Sequence, residues 1–475
     1  MVGAVRAGGS ERIGLANLLR FSSGALASSG VVFALSIHIP RYFATHVGIG
    51  LAAVGVAFTV VRLLDIVVDP VLGVVMDRTR TPLGRYRVWI LAGTPILMLS
   101  SYMLFMAHRG ETTAYLIGWL LVLYLSVSMI SLAQAAWAGT LSASYGERAK
   151  IFGLIGAAGV LGNAVVMLVP SVASRWRPGD DLYALHAMGW SMIALLPVCA
   201  TLTALTPEAL RPTATPSAVA GATLTDYVRI LWRPSMRRVV LADLALALGP
   251  GVLASIFVFY WRDARSVSLA NTNILLVMYM VGALIGSPIW GAIAARIGKH
   301  RGIILSAVSF SVANLVVTSL PKGSPLIYPV MFLIGLFFTA FTLLTRAIMA
   351  DISDEVRLDL AQERSGLLFA FITSTQKVGS AISISLTFWL LAWLGYNPAI
   401  GMHNTATHLR GLELVYEFAP VVFALMGGAC FIRFPLDATR HAQIVAALAA
   451  RAPAPGAALA ADAGGGGARE VVVGV

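Results

Sequence analysis

About twelve stretches of this 475-residue chain are apolar over lengths that suffice to cross a bilayer. A spanning helix needs about 20 such residues. The stretches run at about 14–40, 48–77, 88–107, 113–142, 150–172 and 183–205, then 239–262, 270–294, 302–320, 325–349, 365–396 and 411–434. In lipid every backbone N–H and C=O must be satisfied within its own segment, so runs like these become helices. Composition agrees: 58% of residues are hydrophobic and 12% are charged. A soluble protein carries about a quarter charged residues to cover its surface. The expectation is an all-α membrane protein of about twelve transmembrane helices in two six-helix bundles.

The segments between the spans set the organisation. Residues 1–205 form a first bundle, 206–238 a polar central linker, 239–434 a second bundle, and 435–475 an Ala/Gly/Pro-rich tail expected to be disordered. The linker contains a candidate interfacial helix, "LTDYVRILW". The net charge of +12 does not point to nucleic acid, because the basic residues sit in short loops between apolar spans. Loops after spans 2, 4, 8 and 10 and the linker hold most of them, which puts both termini and the linker in the cytoplasm. The first apolar run starts near Ile13 and is too long for a signal-peptide core, so no cleaved leader is expected. Cys199 and Cys430 lie within apolar runs, and the eight histidines show no ligand spacing, so neither a disulfide framework nor a metal site is expected.

An internal repeat supports two related halves. Span 2 ends with Pro70, Gly73 and Arg78, and span 8 ends with Pro288, Gly291 and Arg296 at the same spacing. Each closes on a second glycine and a basic pair, Gly84-Arg85-Tyr-Arg87 and Gly298-Lys299-His-Arg301. Spans six apart match two halves related by an axis along the membrane normal.

Charges inside spans are the strongest functional signal. Arg62, Asp65 and Asp69 share one face of span 2, within about 60° of arc. Each costs roughly 2.5–3.5 kcal/mol at mid-bilayer, which is tolerable only beside a wet cavity or a partner charge. Span 11 supplies such a partner in Lys377. Two carboxylates one turn apart suit a hard cation or a proton; a charge cluster that only pins two helices together is the bland alternative.

The segment "RLLDIVVDPVLGVVMDRTRTPLGRYRVWILAGTP" resembles the helix 2 to helix 3 signature of the glycoside–pentoside–hexuronide cation symporters, a branch of the major facilitators. "MADISDEVRLDLAQERSGLLFAFITSTQKVGSAISISLTFWLLAWLGYNP" is similar to that family's helix 10 to helix 11 region, and "TLSASYGERAKIFGLIGAAG" to its loop between helices 4 and 5. The resemblance covers about residues 14–434. It implies a major facilitator fold and symport of a small organic solute by alternating access, coupled to Na+ or H+, with a sugar or glycoside in view. It makes Asp65 and Asp69 the cation-binding acids, and Arg62 and Lys377 their charge partners in the cavity.

The chain also departs from that family's pattern. Gapless counting puts the family's helix 1 sugar aspartate on Ser29, its helix 4 aspartate on Ser131 and its helix 5 arginine on Gly156. Neither span 1 nor span 4 holds an acid. Lipid-carrying relatives look similar in keeping the cation acids while losing the sugar acids. A carrier or flippase for an amphipathic lipid-like solute is therefore the second reading. Ser29, Ser131, Trp137, Gly156 and Gln376 are the candidate cavity residues. Trp137, Tyr260, Trp261 and Trp290 are candidate stacking platforms, although Tyr260 and Trp261 at a span end read better as interfacial anchors.

Arg78, Arg85, Arg148, Asp351, Asp354, Glu355 and Arg364 are expected to form a charge lock on the cytoplasmic side. Gly153, Gly156, Gly159 and Gly162 recur every three residues on span 5 and read as close helix packing rather than a phosphate loop. No nucleophile–base pair or ligand cluster suggests an enzyme. The expectation is a monomeric, multi-pass inner (plasma) membrane transporter without a cofactor.

Overall fold

The computed structural model describes residues 14–141, 145–206, 231–360, 365–399 and 404–451. Side chains are described for all of these except 70, 74, 77, 139, 140, 145–150, 360, 365–367, 369, 370, 438, 449 and 451. The linker helix candidate lies largely outside the described residues, as do Arg364 and the side chain of Arg148.

Twelve long helices correspond in order to the twelve apolar spans. The first half is α1 (Leu15–Tyr42), α2 (Leu51–Arg78), α3 (Arg87–Phe105), α4 (Thr113–Leu141), α5 (Tyr145–Ala173) and α6 (Asp181–Ala204). The second half is α7 (Pro234–Phe259), α8 (Leu269–Ile297), α9 (Lys299–Ser319), α10 (Ile327–Leu360), α11 (Ser365–Trp393) and α12 (Ala406–Ala429). Eleven of them, all but α11, meet the length and hydropathy needed to cross a membrane over their described residues. The start of α1, the end of α6, the start of α7 and the end of α12 lie at one face, here the linker face; the ends of α1, α3, α5, α7, α9 and α11 lie at the far face.

The helices pack as two copies of one pattern. In the first half α1 packs on α5 and α6, α3 on α4 and α6, and α2 on α4. Six helices on, α7 packs on α11 and α12, α9 on α10 and α12, and α8 on α10. The backbone repeats too. Both α1 and α7 run into a single π-helical turn, at Phe43–Val47 and Tyr260–Ala264. The halves meet along α2 with α11, α5 with α8 and α1 with α7.

Two elements differ from the reading of the sequence. Span 10 was expected to end at 349, yet α10 continues to Leu360. Charge alone does not stop a helix: "DISDEVRLDL" has no Gly or Pro and buries Ile352 and Val356 along one side. The tail was expected to be disordered from 435, but a thirteenth helix, α13, covers Ala438–Arg451. Its segment "ATRHAQIVAALAAR" is rich in alanine, the best helix former, and Ile444 is 2% exposed against the bundle. Low complexity was mistaken for lack of a packing face.

Candidate functional site

Midway along α2, Asp65 and Asp69 lie one turn apart and face α11 across the junction of the halves. Lys377 Nζ donates to Asp65 Oδ2 at 3.1 Å and also contacts Asp69 Oδ2. A third helix joins them: Ser128 Oγ of α4 donates to Asp65 Oδ1 at 3.0 Å. The remaining oxygen, Asp69 Oδ1, has no hydrogen-bond partner among the described residues. Arg62 does not pair with these acids. Its guanidinium lies 4.2 Å from the ring centroid of Tyr124, a cation–π contact on the same α4 face as Ser128.

Exposure grows toward the linker face. The Asp65 side chain is 5% exposed, and Asp69, one turn closer to that face, is 22% exposed. On α4 the stripe Tyr124, Ser128, Ser131, Ala135 falls within about 60° of arc. Its first two members are buried against α2, while Ser131 and Ala135 are exposed. The far halves of α2 and α11, by contrast, are zipped. Thr59 Oγ1 donates to the Ala381 carbonyl at 2.8 Å, Ser385 Oγ donates to the Gly55 carbonyl at 2.8 Å, and the two hydroxyls touch.

The far face carries a charged junction that sequence reading missed. Arg41, at the end of α1, makes a bidentate pair with Asp263 after α7, at 2.7 Å for both bonds. The Tyr396 hydroxyl donates to the same carboxylate. Burial and the Asp263 charge push the Tyr396 phenol well above its ordinary pKa, so it remains a donor. Arg262 pairs with Asp181 of α6 beside it. Arg41, Asp263, Arg262 and Asp181 line a cavity of about 640 Å³ between the halves, together with His38 and His46. Arg41 and Arg262 take their partners from the other half, which no local spacing reveals.

The acids expected in a lock at the linker face do not reach the other half among the described residues. Lys299 Nζ holds Asp351 at 2.7 Å, His441 of α13 lies 3.0 Å from Asp354, and Ser235 donates to Glu355 at 2.7 Å. All of these partners belong to the second half or to α13. Arg85 Nε reaches its own half, donating to the Met76 carbonyl at 3.3 Å, and Arg78 is exposed. A cross-half lock needs the linker face closed, whereas the halves here are joined at the far face.

The cavity candidates divide. Ser131 and Gly156 are exposed, and a Cβ on Gly156 would meet nothing within 4 Å. Ser29 is half-buried against Gly159 of α5. Trp137 is fully buried in the first bundle, edge-on to Phe21 with centroids 5.2 Å apart, and so is core. Tyr260 and Trp261 are not interfacial anchors: both are buried, with Tyr260 stacked on Tyr416 at 3.8 Å. Trp290 is likewise core, donating to the Leu336 carbonyl at 2.9 Å. Gln376 donates to Asp243 of α7 at 3.3 Å. Asp243 is an intramembrane acid that went unremarked because it lies near the start of its span, just after the basic pair Arg237-Arg238.

A family model described as "MFS/sugar transport protein" matches residues 20–438. YagG of Escherichia coli (strain K12), whose name proposes glycoside/cation symport, is 25% identical over 83% of this chain and 86% of its own. "Inner membrane symporter YicJ" of the same organism is 23% identical over 91% and 92% of the two chains. "Sodium-dependent lysophosphatidylcholine symporter 1" of Homo sapiens is 22% identical over 82% and 77%. In fold, the crystal structure of nucleoside transporter NupG superposes with a TM-score of 0.64 at 14% identity, covering 87% of this chain and 99% of that one.

Proposed function

We propose, from the premise that this chain belongs to the MFS/sugar transport protein family, that it is a cation-coupled symporter of a small organic solute. It works by alternating access, as a monomer in the inner membrane with both termini cytoplasmic. One observation carries the reading: Lys377 of the second half reaches across to Asp65 and Asp69 of the first. Lys377 balances one of the two carboxylates, while Arg62 is turned to Tyr124, so one carboxylate charge has no direct ion-pair partner. A Na+ ion or a proton that joins Asp69 Oδ1 neutralises it, and either competes with Lys377 for the same oxygens. Cation binding therefore changes what holds α2 to α11, so the chemistry of the site is linked to the junction that must rearrange. In the conformation described, exposure at this site increases toward the linker face, and the halves are joined by ion pairs at the far face.

The candidate solutes are a glycoside or an amphipathic lipid-like molecule. Favouring the latter, α1 and α4 carry no acid to grip sugar hydroxyls, and a relative is named for lysophosphatidylcholine symport. Hydrogen bonds to charged groups are worth about 1.5–3 kcal/mol, against about 1 for neutral ones, so Ser29 and Ser131 hold a sugar more weakly than two carboxylates. The deciding experiment is uptake into membrane vesicles under imposed Na+ or proton gradients, using a galactoside, a glucuronide and lysophosphatidylcholine. Gradient-driven accumulation of one of them, lost in Asp65→Asn and Asp69→Asn, is expected. Accumulation that ignores both gradients, or survives both substitutions, would overturn the coupling site.

A further inference from the structure

Asp243 sits nine residues into α7 from Pro234 and is 3% exposed. No cation pairs with it among the described residues. Gln376 Nε2 donates to Oδ1 at 3.3 Å, and Oδ2 is buried with no hydrogen-bond partner among the described residues. The residues flanking Asp243 along α7 pack closely on the neighbouring helices. Gly427 of α12 packs on Leu246 and the Ala242 carbonyl, and Gly379 of α11 packs on Ala247 and Leu244. Arg346 of α10 acts on Asp243 by charge, and among the described residues no cation of α1, α10, α11 or α12 forms an ion pair with it. Lys377, one residue beyond Gln376, is committed to Asp65 and Asp69 on an adjacent face of α11.

An ionised carboxylate inside the membrane costs several kcal/mol unless it is paired and fully hydrogen-bonded. One amide donor at 3.3 Å does not meet that demand. A metal cation fits no better, since Na+-like hard ions want about six oxygens and this pocket offers one carboxylate and one amide. A proton removes the charge with no further ligand. We propose that Asp243 is a proton-binding group of this transporter, neutral in the conformation described and separate from the Asp65/Asp69 cation pair.

Its place in the fold suggests its use. Residues 376 and 377 project about 100° apart on α11, so one helix touches Asp243 on one face and the cation pair on an adjacent one. When α11 shifts against α7, the Gln376 contact breaks and water reaches the acid. The carboxylic acid then gives its proton to water and becomes a carboxylate; the reverse transfer reloads it. This second step rests on the alternating-access reading above, whereas protonation of Asp243 in the conformation described does not.

Infrared difference spectroscopy on the purified full chain tests the proposal. At neutral pH, wild type minus Asp243→Asn should show the carbonyl stretch of one protonated carboxyl. Asp243→Glu should restore a shifted band, and the band should persist in Asp65→Asn. Asn is the neutral isostere of a protonated Asp, so Asp243→Asn should also keep the wild-type melting temperature and bind Na+, read by tryptophan fluorescence, within about twofold of wild type. Absence of the band in both wild type and Asp243→Glu would overturn the proposal. Loss of Na+ binding in a normally melting Asp243→Asn would overturn the separation from the cation pair. If the band is present while Asp65→Asn and Asp69→Asn bind Na+ normally, the coupling-site reading fails and this one stands.

Discussion

The second oxygens of Asp65 and Asp69 distinguish the two acids. Asp65 Oδ1 is held by Ser128, whereas Asp69 Oδ1 is buried without a hydrogen-bond partner among the described residues, on the side chain nearer the exposed end of the site. Replacing Asp69 removes an oxygen that the cation needs, so Asp69→Asn should abolish measurable Na+ binding. Ser128→Ala removes one hydrogen bond and leaves both carboxylates, a loss of about 0.5–1.5 kcal/mol, or about two- to tenfold in affinity. Na+ titration of tryptophan fluorescence reads both; a Ser128→Ala effect as large as that of Asp69→Asn would show that Ser128 is itself an essential ligand. Asp65, Asp69 and Lys377 were legible in the sequence because a charge in an apolar span is conspicuous and expensive. Ser128 was not, since serine is ordinary in a membrane helix and only the meeting of α4 with α2 makes it matter. Counting along the chain pointed instead to Ser131, one turn away. Arg62 was visible as a charge, but its stacking on Tyr124 depends on another helix and carries no local signature.

Glycine placement shows the same limit one level up. The stripe on α5 was read as one packing surface, and the fold divides it. A Cβ on Gly162 would lie 1.9 Å from the Leu26 carbonyl oxygen of α1, while Gly153 and Gly156 meet nothing within 4 Å. The periodicity was plain in the sequence, but how far along α5 the neighbouring helix stays in contact depends on the crossing of the two helices. The partner half has its own close crossing, where Gly282 and Gly335 let α8 and α10 approach backbone to backbone. Gly162→Ala must push α1 and α5 apart, and overpacking of this kind costs about 1–3 kcal/mol. The melting temperature should fall by about 1–3 °C, while Gly156→Ala leaves it unchanged. Equal effects from the two would mean that α1 and α5 do not cross where described. Helix count, order and the two-half repeat were readable because apolar length encodes them directly. The continuation of α10 and the existence of α13 were not, because both depend on a face buried by another element.

Across the whole molecule, two ion pairs between the halves, Arg41 with Asp263 and Arg262 with Asp181, join them at the far face. At the far face Arg41 and Asp263 are 19% and 24% exposed at their side chains, and each comes from a different half. A buried pair broken at one partner costs about 3–5 kcal/mol, and a fully exposed one about 0–1. For a partly screened pair about 1–2 kcal/mol is appropriate, which changes a population ratio about five- to thirtyfold. Asp263→Asn leaves Arg41 without its counter-charge and leaves Tyr396 donating to a neutral amide. Both effects act in the closed far face and neither in the open one, so the equilibrium must move toward opening there. Spin labels at Arg109→Cys and Lys322→Cys report this, being exposed far-face positions on opposite halves; the native thiols Cys199 and Cys430 are first changed to serine. The wild type should give a single short distance, and Asp263→Asn and Arg41→Gln should each add a longer component. The exchange Arg41→Asp with Asp263→Arg re-forms the pair with its sign reversed and should restore the short distance. Unchanged distances in both single variants would mean that the zipped segment around Thr59, Ala381 and Ser385 closes the far face alone. A longer component that persists in the exchanged pair would assign the closure to the original orientation of Asp263 against Tyr396 instead of to charge.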